Sequence, residues 1–303
     1  MKTVLFIIFS ISIIISGCIE NKEIVDLSIV QEPEIKENDT AIKVAISSVI
    51  SPKESIHYYK GLIQYISSRM GKPVKIVQRR TYGEINDMIK NREIDFAFVC
   101  SGPYVEGNNE FGMRLLVVPE SYGKNTYYSY IIVPRNSNYT NLSDLRGKRF
   151  AFTDPLSNTG WLYPAYRLSL INETPDSFFG VVGKERENYF YTFSHDNSII
   201  AVAEGVAEGA AVNSQVYEYM KVEKPEILQQ TRIIEVSTPF ANPPVVVSGD
   251  VDPLFEQRLK DIFLTMDKDE DGKRILSSIM IDRFVIMNDS NYDPIREMRN
   301  RIK

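Results

Sequence analysis

The chain has 303 residues, 43% of them hydrophobic and 25% charged, a composition typical of an ordinary folded protein with one large or two medium cores. This composition excludes disorder as the main state. The net charge is −5, from 35 Lys and Arg against 40 Asp and Glu, and no basic block stands out. A nucleic-acid partner is therefore not expected.

The N-terminus predicts export and lipid attachment. Lys2 precedes an apolar run from Val4 to Ile15 that is too short to span a bilayer and is typical of a signal peptide. The letters ISGC that follow resemble the cleavage box of bacterial and archaeal lipoproteins, in which the Cys becomes the lipid-modified first residue. We predict a signal peptide at 1–17, lipidation of Cys18, and anchoring to the outer face of the cytoplasmic membrane, in a periplasmic or extracellular compartment.

The first half of the body alternates between strand and helix patterns. Residues 18–40 are rich in Glu, Lys and Asn and predict a flexible tether, so folded structure is expected from Ala41. Apolar runs and helical spacing then predict, in order, a strand AIKVAISS, a helix at 55–71, a strand KPVKIVQRR, a helix TYGEINDMIKNRE, and strands IDFAFVC and NTYYSYIIVPRN. Such βαβ alternation predicts a parallel sheet covered by helices.

A second unit repeats this alternation of predicted strands and helices. The predicted strands include FAFTDP, NYFYTFSH, AEGAAVNS, TRIIEVST and NPPVVVSG, and the predicted helices include GWLYPAYRLSLI, DNSIIAVAEG, SQVYEYMKVE, DPLFEQRLKDIFLTM and DGKRILSSIM. We predict an α/β fold of two lobes, one formed by 41–133 plus 240–303 and the other by 134–239, with crossings near 132–136 and 235–244. A ligand is expected in the cleft between the lobes.

The stretch FTDPLSNTGW places Ser157, Asn158 and Thr159 between a strand and a helix. One such side chain is enough to cap a helix, whereas three in a row, together with the free N–H groups of the helix, would suit an anion. The segment 153–166 has no Lys or Arg, so such an anion would be held by uncharged donors and the helix dipole. Capping and anion binding both remain possible on this pattern.

The stretch FSHDNS occupies the matching place in the next repeat. His195, one of two histidines in the chain, could pack or cap there, or donate a hydrogen bond to a bound oxyanion. Asp196 and Asn197 are predicted to cap the following helix. In the apolar run IDFAFVC, Cys100 has no disulfide partner once Cys18 is acylated, and we expect a buried free thiol.

No metal site or catalytic motif is predicted. MDKDEDGKRILSS matches the first half of a calcium loop, but Ser278 stands where the bidentate Glu is needed, so an acidic turn between helices is expected. The chain lacks a G-x-S-x-G elbow, a phosphate loop and an HExxH motif, and its only histidines are His57 and His195. An enzyme is therefore disfavoured, and no cofactor is expected.

Several stretches occur in the order found in one known family, namely the lipoprotein signal, YYKGLIQYI, NREIDFAF, DLRGKRFAFTDPLSNTGWLYP, FSHDNSIIAVAEG and IEVSTPFANPPVVV. The body, about residues 42–285, resembles the phosphate/phosphite/phosphonate-type substrate-binding proteins of ABC transporters. These form a branch of the two-lobed type II periplasmic binding proteins. The resemblance implies a monomeric receptor that closes around an oxyanion and delivers it to a permease and ATPase, without a cofactor.

The resemblance also implies site residues. The hydroxyl run of the family falls on Ser157, Asn158 and Thr159, with Asn158 in place of the more usual Thr, and the family His corresponds to His195. Contacts from the first lobe are implied to come from Ser47, Ser48, Cys100, Ser101, Gly102 and Tyr104.

The implied ligand is small and carries no amine. Members of the family that bind aminoalkylphosphonates meet the ammonium group with carboxylates, whereas this chain has Asn213 and Asn242 at the matching places. Because an unpaired buried ammonium is costly, phosphate, phosphite or a small alkylphosphonate is expected. A sensory receptor that uses the same clamp to signal to a partner protein is the alternative.

Overall fold

The structure, a computed structural model, describes residues 41–47, 49, 51–180 and 188–302. The predicted signal peptide, lipidated Cys18, tether and ligand contact Ser48 lie outside these ranges. Within them, no helix combines the length and the apolar character needed to cross a membrane.

The first part of the body follows the predicted alternation of strands and helices. Its elements are β1 (Ile42–Ile46), α1 (Pro52–Met70), β2 (Val74–Val77), α2 (Tyr82–Lys90), β3 (Phe96–Phe98), α3 (Ser101–Phe111), β4 (Arg114–Glu120), β5 (Thr126–Tyr127) and β6 (Ser129–Pro134). The helix α1 ends as predicted at Gly71, whose φ of 69° suits a residue without a side chain. The sequence did not predict α3, because its Gly, Pro and Asn residues are poor helix formers.

The second part begins with β7 and ends at the C-terminal helix. Its elements are β7 (Phe150–Phe152), a π-helical turn (Asn158–Leu162) that continues as α4 (Tyr163–Ser169), α5 (Pro175–Phe179), β8 (Tyr189–Tyr191), α6 (His195–Ala203), β9 (Gly209–Asn213), α7 (Ser214–Glu223), α8 (Pro225–Leu228), β10 (Thr231–Val236), β11 (Phe240–Ala241), β12 (Val245–Val247), α9 (Pro253–Thr265), α10 (Glu270–Ser278), β13 (Arg283–Val285) and α11 (Asp293–Ile302). Before α10, Asp269 accepts a hydrogen bond from the Gly272 N–H at 2.8 Å, so the acidic turn serves as a helix cap.

The strands form two main sheets, as the predicted α/β fold requires. The first lobe contains a six-stranded sheet in the order β13-β4-β12-β3-β1-β2, and the second lobe a five-stranded sheet in the order β10-β6-β9-β7-β8. In the first sheet β1 is parallel to β2 and β3, and in the second β7 is parallel to β8 and β9. Parallel strands place their carboxyl ends, and the helices that follow, at one edge of each sheet.

A short two-stranded sheet joins the two lobes. In it β11 pairs antiparallel with β5, so that Phe240 lies opposite Tyr127 and Ala241 opposite Thr126. Because β6 pairs with β9 and β10, it belongs to the second lobe, and the chain leaves the first lobe before Ser129. The outward crossing predicted at 132–136 is therefore placed too late, since Pro134 ends a strand of the second sheet and does not mark the exit from the first.

The central parallel strands are apolar because helices cover both faces of their sheets. In β1, Val44, Ala45 and Ile46 are all buried, and every residue of β9 is buried. Polar side chains begin directly after these strands, with Ser47 after β1 and Asn213 at the end of β9, and both remain buried. Buried polar groups at the carboxyl edge of each sheet thus face the region where the two lobes meet.

Candidate anion-binding site

Helix N-termini from both lobes meet at the carboxyl edges of the sheets. The residues that begin these helices are Tyr82 of α2, Ser101 of α3, Asn158 of the π-helical turn, His195 of α6 and Ser214 of α7. The first turn of a helix presents N–H groups without intrahelical partners and the positive end of the helix dipole. This edge therefore offers N–H donors and the positive ends of helix dipoles, although the segment 153–166 contains no Lys or Arg.

Hydrogen bonds of the backbone join the lobes at this edge. The backbone N–H of His195 donates to the carbonyl oxygen of Val49 at 3.0 Å. The Ser51 N–H donates to Asp196 Oδ1, and the Tyr82 N–H donates to Asp154 Oδ2, each at 3.0 Å. Each bond uses a backbone donor or acceptor, so the contact between the lobes depends on the backbone path in each lobe. These bonds hold the lobes together.

A close approach at Gly102 also depends on this arrangement of the lobes. A Cβ atom at this position in α3 would lie 2.1 Å from the carbonyl oxygen of Leu156 and 3.0 Å from the amide nitrogen of Asn158. Only glycine lets the backbones of the two lobes come this near. Gly102 therefore permits the closed arrangement by having no side chain.

The segment from Ser157 to Thr159 supplies a helix cap and also contains polar groups that capping does not use. All three side chains are fully buried, and Ser157 Oγ accepts a hydrogen bond from the Gly160 N–H at 3.0 Å, which caps the turn. By contrast, Asn158 Oδ1 and Thr159 Oγ1 have no hydrogen-bond partner in the described part of the chain. Capping thus accounts for one of the three side chains and leaves two buried groups for another role.

The amide of Asn158 is linked to the first lobe through the Tyr127 hydroxyl. Asn158 Nδ2 lies 3.1 Å from the Tyr127 oxygen, which in turn lies 3.8 Å from Cys100 Sγ. Because a phenol hydroxyl can donate as well as accept, turning the amide over would let Tyr127 donate to Oδ1 and would leave Nδ2 as a free donor. Cys100 is a buried free thiol, as predicted, and burial raises its pKa.

His195 is neutral and its tautomer follows from its contacts. Its Nδ1 lies 3.1 Å from the Asn213 amide nitrogen, and a backbone N–H can only donate, so Nδ1 carries no proton. The proton is therefore on Nε2, which lies 3.5 Å from Ser157 Oγ. Burial lowers the pKa of His195 to about 3, so the imidazole offers an uncharged N–H donor beside the Ser157 hydroxyl.

Six residues of this edge carry a buried side-chain atom without a hydrogen-bond partner in the described ranges. They are Ser47, Tyr82, Asn158, Thr159, Ser194 and Asn213. Burial raises the pKa of the Tyr82 phenol well above its usual value, so it remains protonated and able to donate. Since each buried polar group without a partner costs about 1–3 kcal/mol, such a group is expected to have a partner in the functional state. A bound anion would supply acceptors to the four hydroxyls and to Asn213 Nδ2, and also to Asn158 once its amide is turned over.

The structure brings together some of the predicted contacts and not others. Ser157, Asn158, Thr159 and His195 lie side by side at the lobe junction. The side chains of Ser101 and Tyr104 are used elsewhere, because they point to the face of α3 that packs on β11 and the C-terminal residues. The Ser101 hydroxyl donates to the Ala241 carbonyl oxygen at 2.8 Å, and the Tyr104 hydroxyl donates to Asp289 Oδ1 at 2.5 Å.

The predicted capping role of Asp196 is wrong. The residue that precedes α6 is Ser194, and Asp196 instead accepts the Ser51 N–H of the first lobe. Tyr82, Ser194 and Asp154 were missed as candidate residues of the site. Tyr82 begins the helix after β2, so the rule that ligands bind beyond the carboxyl ends of parallel strands could have found it. Ser194 lies within FSHDNS, beside His195, and could have been found in the same way.

A family model described as the periplasmic substrate-binding protein of phosphonate ABC transporters matches residues 44–292. The chain belongs to this family. It is thus an extracytoplasmic substrate-binding protein that works with the permease and ATPase of an importer, and the sensory alternative is not favoured.

The phosphonates-binding periplasmic protein of Escherichia coli is 24% identical over 268 residues, which are 87% of this chain and 77% of that protein. The phosphate-import protein PhnD of Mycolicibacterium smegmatis is 26% identical over 68% of this chain and 65% of its own length.

Solved structures support the two-lobed fold. A binding protein of a phosphonate ABC transporter from Pseudomonas aeruginosa has a TM-score of 0.79 and 21% identity, and the match covers 86% of this chain and 85% of that one. PhnD1 of Prochlorococcus marinus, solved with methylphosphonate, has a TM-score of 0.77 and 19% identity, with coverage of 88% and 99%. At this level of identity, the similarity establishes the two-lobed architecture of the chain. Its ligand contacts have to be inferred from its own residues.

Replacement of Gly102 by Ala tests the closed arrangement. The added Cβ collides with the Leu156 carbonyl oxygen, so we expect the affinity for a phosphonate to fall at least about tenfold, since the ligand must bind a state that the variant disfavours. Calorimetric titration measures the affinity, and small-angle X-ray scattering measures closure. Gly83→Ala is the matched control, because nothing lies within 4 Å of its Cβ position. Equal affinity in the two variants would contradict the prediction.

The state of His195 predicts a pH dependence. In the unfolded chain this imidazole takes up a proton near its usual pKa of 6.5, whereas in the folded protein it does so only near about 3. Its contribution to the free energy of unfolding is therefore complete above pH 6.5 and is lost as the pH falls from 6.5 towards 3. Long-range ¹H–¹⁵N spectra should show one histidine as the Nε2–H tautomer at pH 5, and His195→Gln should remove its signals. A protonated His195 at pH 5 would refute this.

Proposed function

We propose that this substrate-binding protein captures phosphonates and related tetrahedral oxyanions between its two lobes through uncharged donors. The observation that carries the proposal is a set of buried polar atoms from both lobes that have no partner among the residues the structure describes. They belong to Ser47, Tyr82, Asn158, Thr159, Ser194 and Asn213. Ser157 Oγ and His195 Nε2–H add two donors beside them. A phosphonate has three oxygens that accept hydrogen bonds in different directions, which matches donors arriving from two sides.

Uncharged donors suit a receptor that must release its ligand. Each hydrogen bond from a neutral donor to a charged acceptor contributes about 1.5–3 kcal/mol, and the helix N-termini at this edge add a favourable field. The carboxylates of Asp154 and Asp196 lie at the same lobe contact but are used by backbone N–H groups of the first lobe. Binding would thus add hydrogen bonds across the junction and favour closure, while opening would return the donors to water.

The ligand we infer carries no ammonium group. Asn242 stands in the segment STPFANPP, and its amide is used at the lobe junction, where Oδ1 accepts from Gln215 Nε2 at 3.0 Å and Nδ2 donates to the Pro119 carbonyl oxygen at 2.8 Å. Asn213 offers Nδ2, a donor, where an ammonium would need an acceptor. These amides favour phosphate, phosphite or an alkylphosphonate over an aminoalkylphosphonate.

We also infer that the chain is a monomer held at the outer membrane face by a lipid on Cys18. The motif ISGC after a short apolar run supports lipidation, and the tether that follows would give the body room to reach its permease. Substrate-binding proteins of transporters normally carry out no chemistry, and we infer the same for this chain.

Removal of single hydroxyl groups tests the ligand contacts. Ser157→Ala and Thr159→Ala should each weaken phosphonate binding by about 1–3 kcal/mol, or roughly 5- to 150-fold in Kd, as expected for the loss of a buried donor to a charged group. Thr159→Ala should also lower the melting temperature of the unliganded protein, because it removes a buried methyl group, whereas Thr159→Val removes only the hydroxyl, which has no partner in the described ranges, and should not lower it. Ser157→Ala should also cost about 1 kcal/mol of stability, because its hydroxyl caps Gly160.

Ser169→Ala serves as the control for these two variants. Its hydroxyl donates to the Tyr166 carbonyl oxygen within α4, away from the donors, so binding should not change. Titrations with phosphate, phosphite, methylphosphonate and 2-aminoethylphosphonate measure the effects. No heat from any of them with the unaltered chain would refute the proposed function, and an unchanged Kd in both variants would refute the assigned contacts.

Membrane attachment has its own test. In a bacterial host with lipoprotein processing, the unaltered chain should fractionate with membranes, because a lipid on Cys18 anchors it. Cys18→Ala should release it into the soluble extracytoplasmic fraction. Cys100→Ala is the matched control, since that thiol is buried in the body and should not affect fractionation. Membrane attachment of the Cys18→Ala protein would contradict lipidation.

A further inference from the structure

A largely apolar cavity of about 260 Å³ lies between the lobes beside the anion-binding site. Its wall consists mainly of aromatic and aliphatic side chains from both lobes. Representative members are Tyr59, Phe98 and Phe284 from the first lobe and Tyr130, Val216 and Tyr219 from the second. The cavity therefore offers an apolar surface in the same region where the donors converge.

Two residues belong to both the cavity and the donor set. Ser47 and Asn213 line the cavity, and their Oγ and Nδ2 atoms are among the buried atoms without a partner in the described ranges. They lie on opposite lobes, after β1 and at the end of β9. A phosphorus atom held by these donors would therefore lie beside the cavity, within reach of a substituent that occupies it.

We propose that the preferred ligand is a phosphonate whose phosphorus carries a bulky apolar substituent, such as a phenyl ring, that occupies this cavity. The inference rests on the proposed function, because the phosphonate group must first bind the donors. An apolar cavity of about 150 Å³ is enough to admit benzene, so the cavity here accepts a ring with room to spare. The hydroxyl of phosphate or the methyl of methylphosphonate would leave most of its apolar wall without a contact.

The charge around the cavity disfavours an amine in the same place. Glu218 is the one acidic residue in the lining, and its side chain is 46% exposed and lies 3.6 Å from the Lys221 ammonium. Its carboxylate is therefore about half exposed to water and already paired with a cation. An ammonium group drawn into the cavity would lose its hydration without gaining a buried carboxylate. A phosphonate with an uncharged substituent of the same length should therefore bind more tightly than one that carries an ammonium group.

A series of ligands tests this with the unaltered full chain. By calorimetric titration, phenylphosphonate should bind at least about tenfold more tightly than methylphosphonate, because the ring removes apolar surface from water. Propylphosphonate should bind more tightly than 2-aminoethylphosphonate, which has the same number of non-hydrogen atoms. If methylphosphonate or phosphate binds but phenylphosphonate binds no more tightly, this inference is wrong and the proposed function stands. If none of these compounds binds, the proposed function itself fails.

A pair of variants on one helix locates the substituent. Val216 is 5% exposed and lines the cavity, so Val216→Phe should narrow it and remove most of the advantage of phenylphosphonate, while the Kd for methylphosphonate changes less than about threefold. Val222, 66% exposed on the same helix, gives the control Val222→Phe, which should retain the advantage. An advantage that persists in Val216→Phe would overturn the placement in this cavity. Should that variant not fold, the ligand series still decides.

Discussion

Buried polar groups need hydrogen-bond partners, and this requirement accounts for the arrangement of polar side chains at the lobe junction. Most of the polar atoms there are paired within the chain, as in the contact of Asp154 with the Tyr82 N–H or of His195 Nδ1 with the Asn213 N–H. A smaller set of hydroxyl and amide groups has no partner in the described ranges. The paired groups hold the geometry, and the unpaired ones are positioned to bind. Because the two sets are interleaved, the backbone that closes the lobes also orients the donors.

The contacts that join the lobes therefore also position the groups proposed to bind the ligand. Gly102 allows α3 to approach the Leu156 carbonyl, and this approach brings the first lobe against the segment that carries Asn158 and Thr159. His195 joins the lobes through its backbone N–H and faces Ser157 with its ring. A ligand that binds these groups adds contacts only when both lobes are in place, which gives it a differential affinity for the closed state. The apolar cavity beside these groups is also lined by both lobes, so a substituent on phosphorus would likewise gain its contacts when both lobes are in place.

The sequence was informative where local rules apply and less so where contacts are long-range. Alternating strands and helices predicted the two α/β lobes, because hydrophobic periodicity is set by the geometry of each element. The run from Ser157 to Thr159 and His195 were predicted as ligand contacts because hydroxyl, amide and imidazole groups follow strands, and the structure places them side by side. The exit from the first lobe was placed too late, and Asp196 was taken for a cap. Both depended on which strand or helix lies next to a residue in space, and local patterns carry no such information.

By itself the sequence determined the fold class and the chemical character of the site, which is neutral, rich in hydroxyl and amide groups, and placed after strands. These features follow from residue type and spacing along the chain. Only the tertiary structure decided which polar groups are already paired, so that Ser101 and Tyr104 are used within the first lobe while Tyr82 and Ser47 are free to bind. It also decided that an apolar cavity adjoins the donors. Pairing and cavities arise when distant segments are brought within a few ångströms, and packing of the whole fold sets those distances.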